Sequence, residues 1–208
     1  MPTQPHPYYH SRGKRLFDIT LSVSVLVFFS PLLLCIALLV YLTVGSPVIF
    51  WQKRTGLNQT TFKIVKFRTM RRNAELDRNR YEHLNQAPYP MFKIFNDPRF
   101  IGIGRWLSQV GFDELPQLIN ILRGEMSFVG PRPLPTKEAK LLDRSWDFRY
   151  SVKPGIFSYW TLSKDRHESL AIWKKLDQMT LKRGGFWFEC WLFGRFLVAK
   201  ISGNDPSF

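Results

Sequence analysis

The sequence predicts an α+β fold: an N-terminal re-entrant membrane helix, a compact, mostly helical domain carrying a short β-hairpin, and interfacial amphipathic helices. Three features predict it. No residue from Ile19 to Val44 is charged, and about 20 apolar residues suffice to cross a bilayer as a helix, yet Ser30-Pro31 falls at the middle of the stretch. Val48 to Trp51 and Phe62 to Phe67 are rich in β-branched and aromatic residues on either side of Gly56-Leu57-Asn58, the pattern of two strands and a turn. The rest is short apolar periods broken by glycine and proline, and the 208 residues suit one domain with a sizeable core.

Residues 1–15 read as a loose N-terminal arm, with three prolines and little apolar content before residue 14. Residues 16–45 form the membrane segment. Pro31 removes a backbone hydrogen bond and collides with the preceding turn, so the helix kinks there. Arg12, Lys14 and Arg15 precede the segment, and Lys53, Arg54, Lys63, Lys66, Arg68, Arg71 and Arg72 follow it, with no acid between Asp18 and Glu75. Positive flanks on both sides favour keeping both ends cytoplasmic, so a helix that enters and returns on one face fits better than a span.

The main domain is assigned to residues 46–185. Within it, the hairpin holds basic residues near a membrane surface, where each gains about 1 kcal/mol against anionic lipid. Arg71 to Arg80 reads as a polar helix, Ala87 to Pro98 as a proline- and aromatic-rich loop, and Glu138 to Arg149 as another helix. Residues 186–208 hold an aromatic helix and tail. Phe186 to Val198 carries only Glu189 and Arg195 as charges, which suits an amphipathic helix lying in the membrane interface.

Thirty Lys and Arg against 16 Asp and Glu give a net charge of +14, so the partners are anions: nucleic acid, acidic lipid or a phosphorylated substrate. Composition does not choose among them. Cys35 and Cys190 have apolar neighbours and no metal-ligand spacing, and read as buried thiols. There is no zinc spacing, phosphate-binding Walker loop or Gly-x-Ser-x-Gly elbow.

The chemistry is concentrated in Phe112 to Pro133, FDELPQLINILRGEMSFVGPRP. Asp113 and Glu114 stand ahead of an apolar helix, Leu115, Leu118, Ile119 and Leu122, that stops at Gly124. Pro116 falls in its first turn, so the carboxylates sit at the positive end of the helix dipole. Met126 to Val129 then leads into Gly130-Pro131-Arg132-Pro133, a stiff turn that fixes one arginine. Taken alone, Asp-Glu is an ordinary helix start and Pro-Arg-Pro an ordinary loop. Together they point to a phosphoryl site with a divalent metal.

The string DELPQLxNxLxGxMSxVGPRP closely resembles the signature of the bacterial sugar transferases, the monotopic polyprenyl-phosphate phosphoglycosyl transferases. The likeness extends from Lys14-Arg15-Leu16-Phe17-Asp18 through Gln52-Lys53-Arg54-Thr55-Gly56 and Lys66-Phe67-Arg68-Thr69-Met70 to Lys153-Pro154-Gly155-Ile156. It implies transfer of a sugar 1-phosphate from a nucleotide sugar, a UDP-sugar, to a polyprenyl phosphate, with release of UMP, as the first membrane step of bacterial glycoconjugate assembly. Asp113 would be the nucleophile, Glu114 with Asp113 the Mg2+ ligands, and Arg132, Arg68, Lys66, Arg105 and Arg149 the residues at the substrate phosphates. The implied place is the cytoplasmic face of the bacterial inner membrane, with membrane lipid and no nucleic acid as partner.

Two departures stand out. Ser108 occupies a position where the family has arginine, with Arg105 three residues earlier, and residues 157–164 replace a Gly-Trp-Ala-Gln-like run linked with substrate. The alternative reading is a non-catalytic, membrane-anchored basic binding protein or an inactive relative.

Overall fold

Ser11 opens the first long helix by accepting the Lys14 amide on its hydroxyl, an N-cap that satisfies an otherwise orphan donor. The computed structural model describes residues 4–202, and α1 runs Arg12–Phe28. The part of the expected arm that lies within the described residues is not loose. A 3-10 turn, Pro7–His10, is tied to the far end of the chain by the Tyr9 hydroxyl, which donates to the carbonyls of Thr180 (2.7 Å) and Arg183 (2.9 Å).

The chain bends at Phe29, and α2 follows as Ser30–Thr43. Pro31 sits in the first turn of α2, where its missing donor costs nothing, and the two helices meet at 66°. Among the described residues no single helix is long and apolar enough to cross a membrane. Ile36, Val40 and Val44 pack inward against Phe67 and Leu107, while Val27, Phe28, Leu34, Leu38 and Leu42 are exposed. Cys35 is exposed too, and Cys190 is half-buried. Cys35 has apolar neighbours because it shares α2's outward stripe with Leu38 and Leu42, so the expectation of buried thiols fails.

The hairpin pairs β1, Ile49–Thr55, with β2, Thr61–Phe67, in antiparallel register from Ile49–Phe67 to Thr55–Thr61. Phe62, Ile64, Val65 and Phe67 of β2 are buried. Residues 71–80 do not make the expected helix. They form turns and a 3-10 stretch, Leu76–Leu84, that buries no residue, and a polar segment without a buried face lacks the packing that sustains an α-helix. Helix α3, Gly104–Val110, begins so close to the Thr69 carbonyl that a side chain at Gly104 would overlap it.

A 3-10 turn, Phe112–Gln117, precedes α4, Leu118–Arg123. The helix stops at Gly124, whose φ of 80° is the left-handed cap expected. It starts later than predicted, so Asp113, Glu114 and Pro116 lie in the 3-10 turn. Next, β3, Ser127–Val129, pairs in parallel with β4, Gly155–Phe157, a second small sheet the sequence did not announce.

The helix predicted over 138–149 is broken. Helix α5 is only Thr136–Ala139, and a 3-10 turn covers Arg144–Ser151. Asp143 causes the break: its side chain accepts the Ser145 amide at 2.7 Å and starts a new turn, competing with the helical ladder. Helices α6, Tyr159–Leu162, α7, Leu170–Lys182, and α8, Phe186–Ile201, complete the chain. Leu192 of α8 joins Phe62, Leu118, Ile121 and Phe128 in one core. Lys14 of α1 pairs with Asp18 at 2.8 Å and with Glu189 of α8 at 2.5 Å, all three buried.

Candidate active site

Asn120, a polar residue inside an apolar helix, sets the register between α4 and the hairpin. Its Oδ1 accepts the Val65 amide (3.0 Å) and its Nδ2 donates to the Lys63 carbonyl (2.8 Å) and to Glu125 (2.7 Å). With α4 fixed along β2, Lys66 faces the 3-10 turn that carries the two acids. Lys66 Nζ lies 2.5 Å from Glu114 Oε1 and 3.7 Å from Asp113 Oδ2. Arg132 Nη2 reaches the same Glu114 oxygen at 2.7 Å.

The loop carrying Arg132 is held by hydrogen bonds from distant parts of the chain. Gly130 donates to the Phe157 carbonyl (3.1 Å) and Gly155 to the Pro131 carbonyl (3.0 Å). Arg54 donates to the Pro133 carbonyl (2.8 Å) and Thr55 to that of Leu134 (3.0 Å). Arg149 donates to the Arg132 carbonyl at 2.7 Å and is itself paired with buried Asp177 at 3.2 Å.

The two carboxylates differ in acidity despite being neighbours. Burial raises Asp113 to about 6, against the pull of Lys66 and with the push of Glu114. Burial also works to raise Glu114, but Arg132 and Lys66 outweigh it and hold this group well below the usual carboxylate range. Glu114 is therefore a fixed anion, and Asp113 a carboxylate of raised basicity that is still ionised at neutral pH.

Both acids line a cavity of about 840 Å3. Lys66, Arg68, Arg105 and Arg132 line it as well, so four of the five basic residues expected at substrate are brought to one space. Arg149 is not among them. Long-range folding buries it against Asp177, where it donates to the Arg132 carbonyl, so it holds the Arg132 loop and does not line the cavity with the other four. Arg68 lines the cavity while donating to the Val44 carbonyl at the end of α2 (2.6 Å). Arg105 is exposed on α3, one turn before Ser108, which also lines the cavity.

Sequence reasoning missed two parts of the wall. Lys93 comes from the irregular loop and has no ion pair or side-chain hydrogen bond among the described residues. Burial, with Arg132 and Arg166 beside it, lowers its pKa to about 8. Trp160 lies under both Arg132 (5.3 Å) and Arg166 (4.8 Å), and His167 packs edge-on to it. No local periodicity marks Lys93; Trp160 stood within the departing 157–164 run. The site thus holds more cations than acids and suits a ligand with more than one phosphate. Among the described residues, no three His, Cys, Asp or Glu side chains converge as a metal cage.

A model of the family described as bacterial sugar transferase matches residues 9–201. The exopolysaccharide production protein ExoY of Sinorhizobium fredii (strain NBRC 101917 / NGR234) is 38% identical over 155 residues, 73% of this chain and 69% of that protein. The UDP-glucose:undecaprenyl-phosphate glucose-1-phosphate transferase of Escherichia coli (strain K12) is 35% identical over 184 residues, 85% of this chain but 37% of that protein. The undecaprenyl-phosphate glucose phosphotransferase of Komagataeibacter xylinus is 40% identical over 161 residues, 74% of this chain and 28% of that protein. The chain belongs to the bacterial sugar transferase family and is an enzyme of the phosphoglycosyl transferase type.

Proposed function

We propose that the protein transfers a sugar 1-phosphate from a UDP-sugar to a membrane polyprenyl phosphate, releasing UMP, through a covalent phosphosugar on Asp113. The observation that carries this reading is the mixed lining of the large cavity. Its wall includes Asp113, Glu114, Lys66 and Arg132, and also Leu21 and Val25 of α1 and Phe193 and Phe196 of α8. Charged groups for a diphosphate and apolar ones for an isoprenoid chain in one cavity match one water-borne and one lipid substrate. The names of the Escherichia coli and Komagataeibacter relatives, both specifying undecaprenyl phosphate, support the same acceptor.

In the first step an Asp113 carboxylate oxygen attacks the sugar-bearing phosphorus, the bond to the bridging oxygen breaks, and UMP leaves. In the second, a polyprenyl phosphate oxygen attacks that phosphorus, forms the diphosphate linkage, and returns the carboxylate. The division keeps two polyanions from having to meet directly. Arg132 and Lys66 neutralise phosphate charge as it develops, and burial keeps Asp113 reactive by withholding water. Glu114, with Asp113, is the carboxylate pair that would hold Mg2+, which takes one or two protein carboxylates and completes its shell with phosphate and water. When bound, the ion supplies neutralisation of the diphosphate.

The bent α1–α2 pair, with its exposed leucines, would enter the cytoplasmic leaflet and return, and Trp187 and Trp191 of α8, both exposed, would rest in the interface. The test uses stoichiometric enzyme and a panel of UDP-sugars without polyprenyl phosphate. One equivalent of UMP and a mass gain of one sugar phosphate, both absent in Asp113→Asn, are expected. UMP released only when both substrates are present, with no adduct, would replace this mechanism by direct transfer.

A further inference from the structure

A second cavity of about 190 Å3 shares no lining residue with the first; Lys14, Arg15, Asp18, Ser127 and Lys153 form much of its wall. Its charges do not balance locally. Lys14 is committed to Asp18 and Glu189. Asp18 also accepts from the Ser127 hydroxyl and the Phe128 amide, each at 3.3 Å. Arg15 has no acidic partner among the described residues: its guanidinium donates to the carbonyls of Ile121 (2.6 Å) and Leu122 (2.7 Å) at the end of α4.

Lys153 makes no ion pair or side-chain hydrogen bond among the described residues. A β-carbon placed on Gly124 would stand 3.5 Å from Lys153 Nζ and 3.6 Å from Arg15 Nη2, so the two cationic heads converge over this glycine. Burial, then the charge of Arg15, lowers the Lys153 pKa. A second cation beside a first, half out of water and unpaired, is stabilised by an anion between them.

We propose that the cavity between Arg15 and Lys153 binds a phosphate group, that of an acidic phospholipid docked at the foot of α1. The position favours the lipid over the free ion. Arg15 lies one turn before Ile19, where the uncharged stretch begins, and Leu16 and Ile19 are exposed at this end of α1. A lipid whose chains follow α1 carries its phosphate at that depth. The inference does not depend on the reaction proposed above, but it rests on the placement of α1 in the membrane proposed with it.

The full chain in neutral detergent is titrated with short-chain phosphatidylglycerol, with zwitterionic phosphatidylcholine and with inorganic phosphate. Phosphatidylglycerol is expected to bind best, and Lys153→Met to weaken it by roughly tenfold, the scale of losing one charge-assisted hydrogen bond. Lys153→Arg, which keeps the charge and guards against a folding artefact, should bind like the parent. Lys66→Met, altered at the other cavity, should retain the binding. Inorganic phosphate binding as tightly, with the same loss in Lys153→Met, would keep the phosphate site and overturn its assignment to lipid. Equal binding by the parent and a folded Lys153→Met would overturn the site itself.

Discussion

Asn120 and Val65 are joined by a buried hydrogen bond of 3.0 Å between a side-chain carbonyl on α4 and a backbone amide on β2. The bond satisfies a strand amide from inside the fold, one residue before the lysine that meets Glu114. Asn120→Leu is nearly the same size but leaves the buried Val65 amide without its partner, a loss of about 1–3 kcal/mol, and takes a donor from the Lys63 carbonyl as well. The expected outcome is a lower melting temperature together with a reduced kcat, since Lys66 loses its register. A variant that melts early but turns over normally would show that the acids hold Lys66 unaided.

Asp113 gives the pH dependence its sign. With Asp113 as the proposed nucleophile at about 6, turnover is expected to rise with pH through that value, and Lys66→Met, which removes the cation that most lowers it, should move the midpoint upward. Stability runs the other way. Between the ordinary 3.8 and about 6 the folded chain keeps a proton that the unfolded chain has released, so stability falls as pH rises through this window. The cost above it is at most ~3 kcal/mol. Asp113→Asn should therefore raise the melting temperature at neutral pH and leave it unchanged below the ordinary aspartate range.

Among the described residues the Glu114 side chain has no partner apart from Lys66 and Arg132, both on Oε1, and these leave its second oxygen available. Chelation should abolish turnover and Mg2+ restore it. Glu114→Gln should lose on the order of 100-fold in kcat, the scale of one lost electrostatic contact, while remaining folded. Full activity in a chelator would remove Glu114 from a metal role.

Arg149 donates to the Arg132 carbonyl and pairs with Asp177, so its expected effect on turnover passes through Arg132. Truncating it strands Asp177 in the core, and breaking a buried pair costs about 3–5 kcal/mol. Replacing both, as Arg149→Met with Asp177→Leu, should recover much of that stability while kcat stays depressed, because the Arg132 carbonyl has lost its anchor. Recovery of both would make the pair purely structural.

Pro31 should be needed for the bend. Pro31→Leu restores a donor and a continuous apolar stretch, which favours a span. Cysteines placed at His10 and at Ser46, in a chain lacking Cys35 and Cys190, should both resist an external reagent in intact cells. In Pro31→Leu one of them should become reactive. Labelling of one end in the parent would sink the re-entrant reading.

Where one stretch of chain determines its own conformation, the residues announced it. The hairpin, the glycine stop after α4 and the Asp-Glu pair near Arg132 all follow from local pattern and turn chemistry. What stayed hidden depends on distant partners. Asp143 split a helix by a capping bond that periodicity does not register, and Cys35 looked buried because apolar neighbours do not say which way a stripe faces. Arg149 was expected beside the other basic residues of the cavity, but Asp177 on α7 pairs with it away from the lining. Lys93 lacked any local mark, since only the folded loop brings it beside Arg132.

The Gly130-to-Pro135 loop has one more consequence. Its amides and carbonyls are bonded to β1, to β4 and to Arg149, so no small fluctuation frees it. In hydrogen exchange the Gly130 amide should be protected up to the global unfolding free energy, unlike a lid. Such a floor tolerates no insertion or deletion. Divergence towards a new sugar must then proceed by exchanging side chains around a fixed backbone.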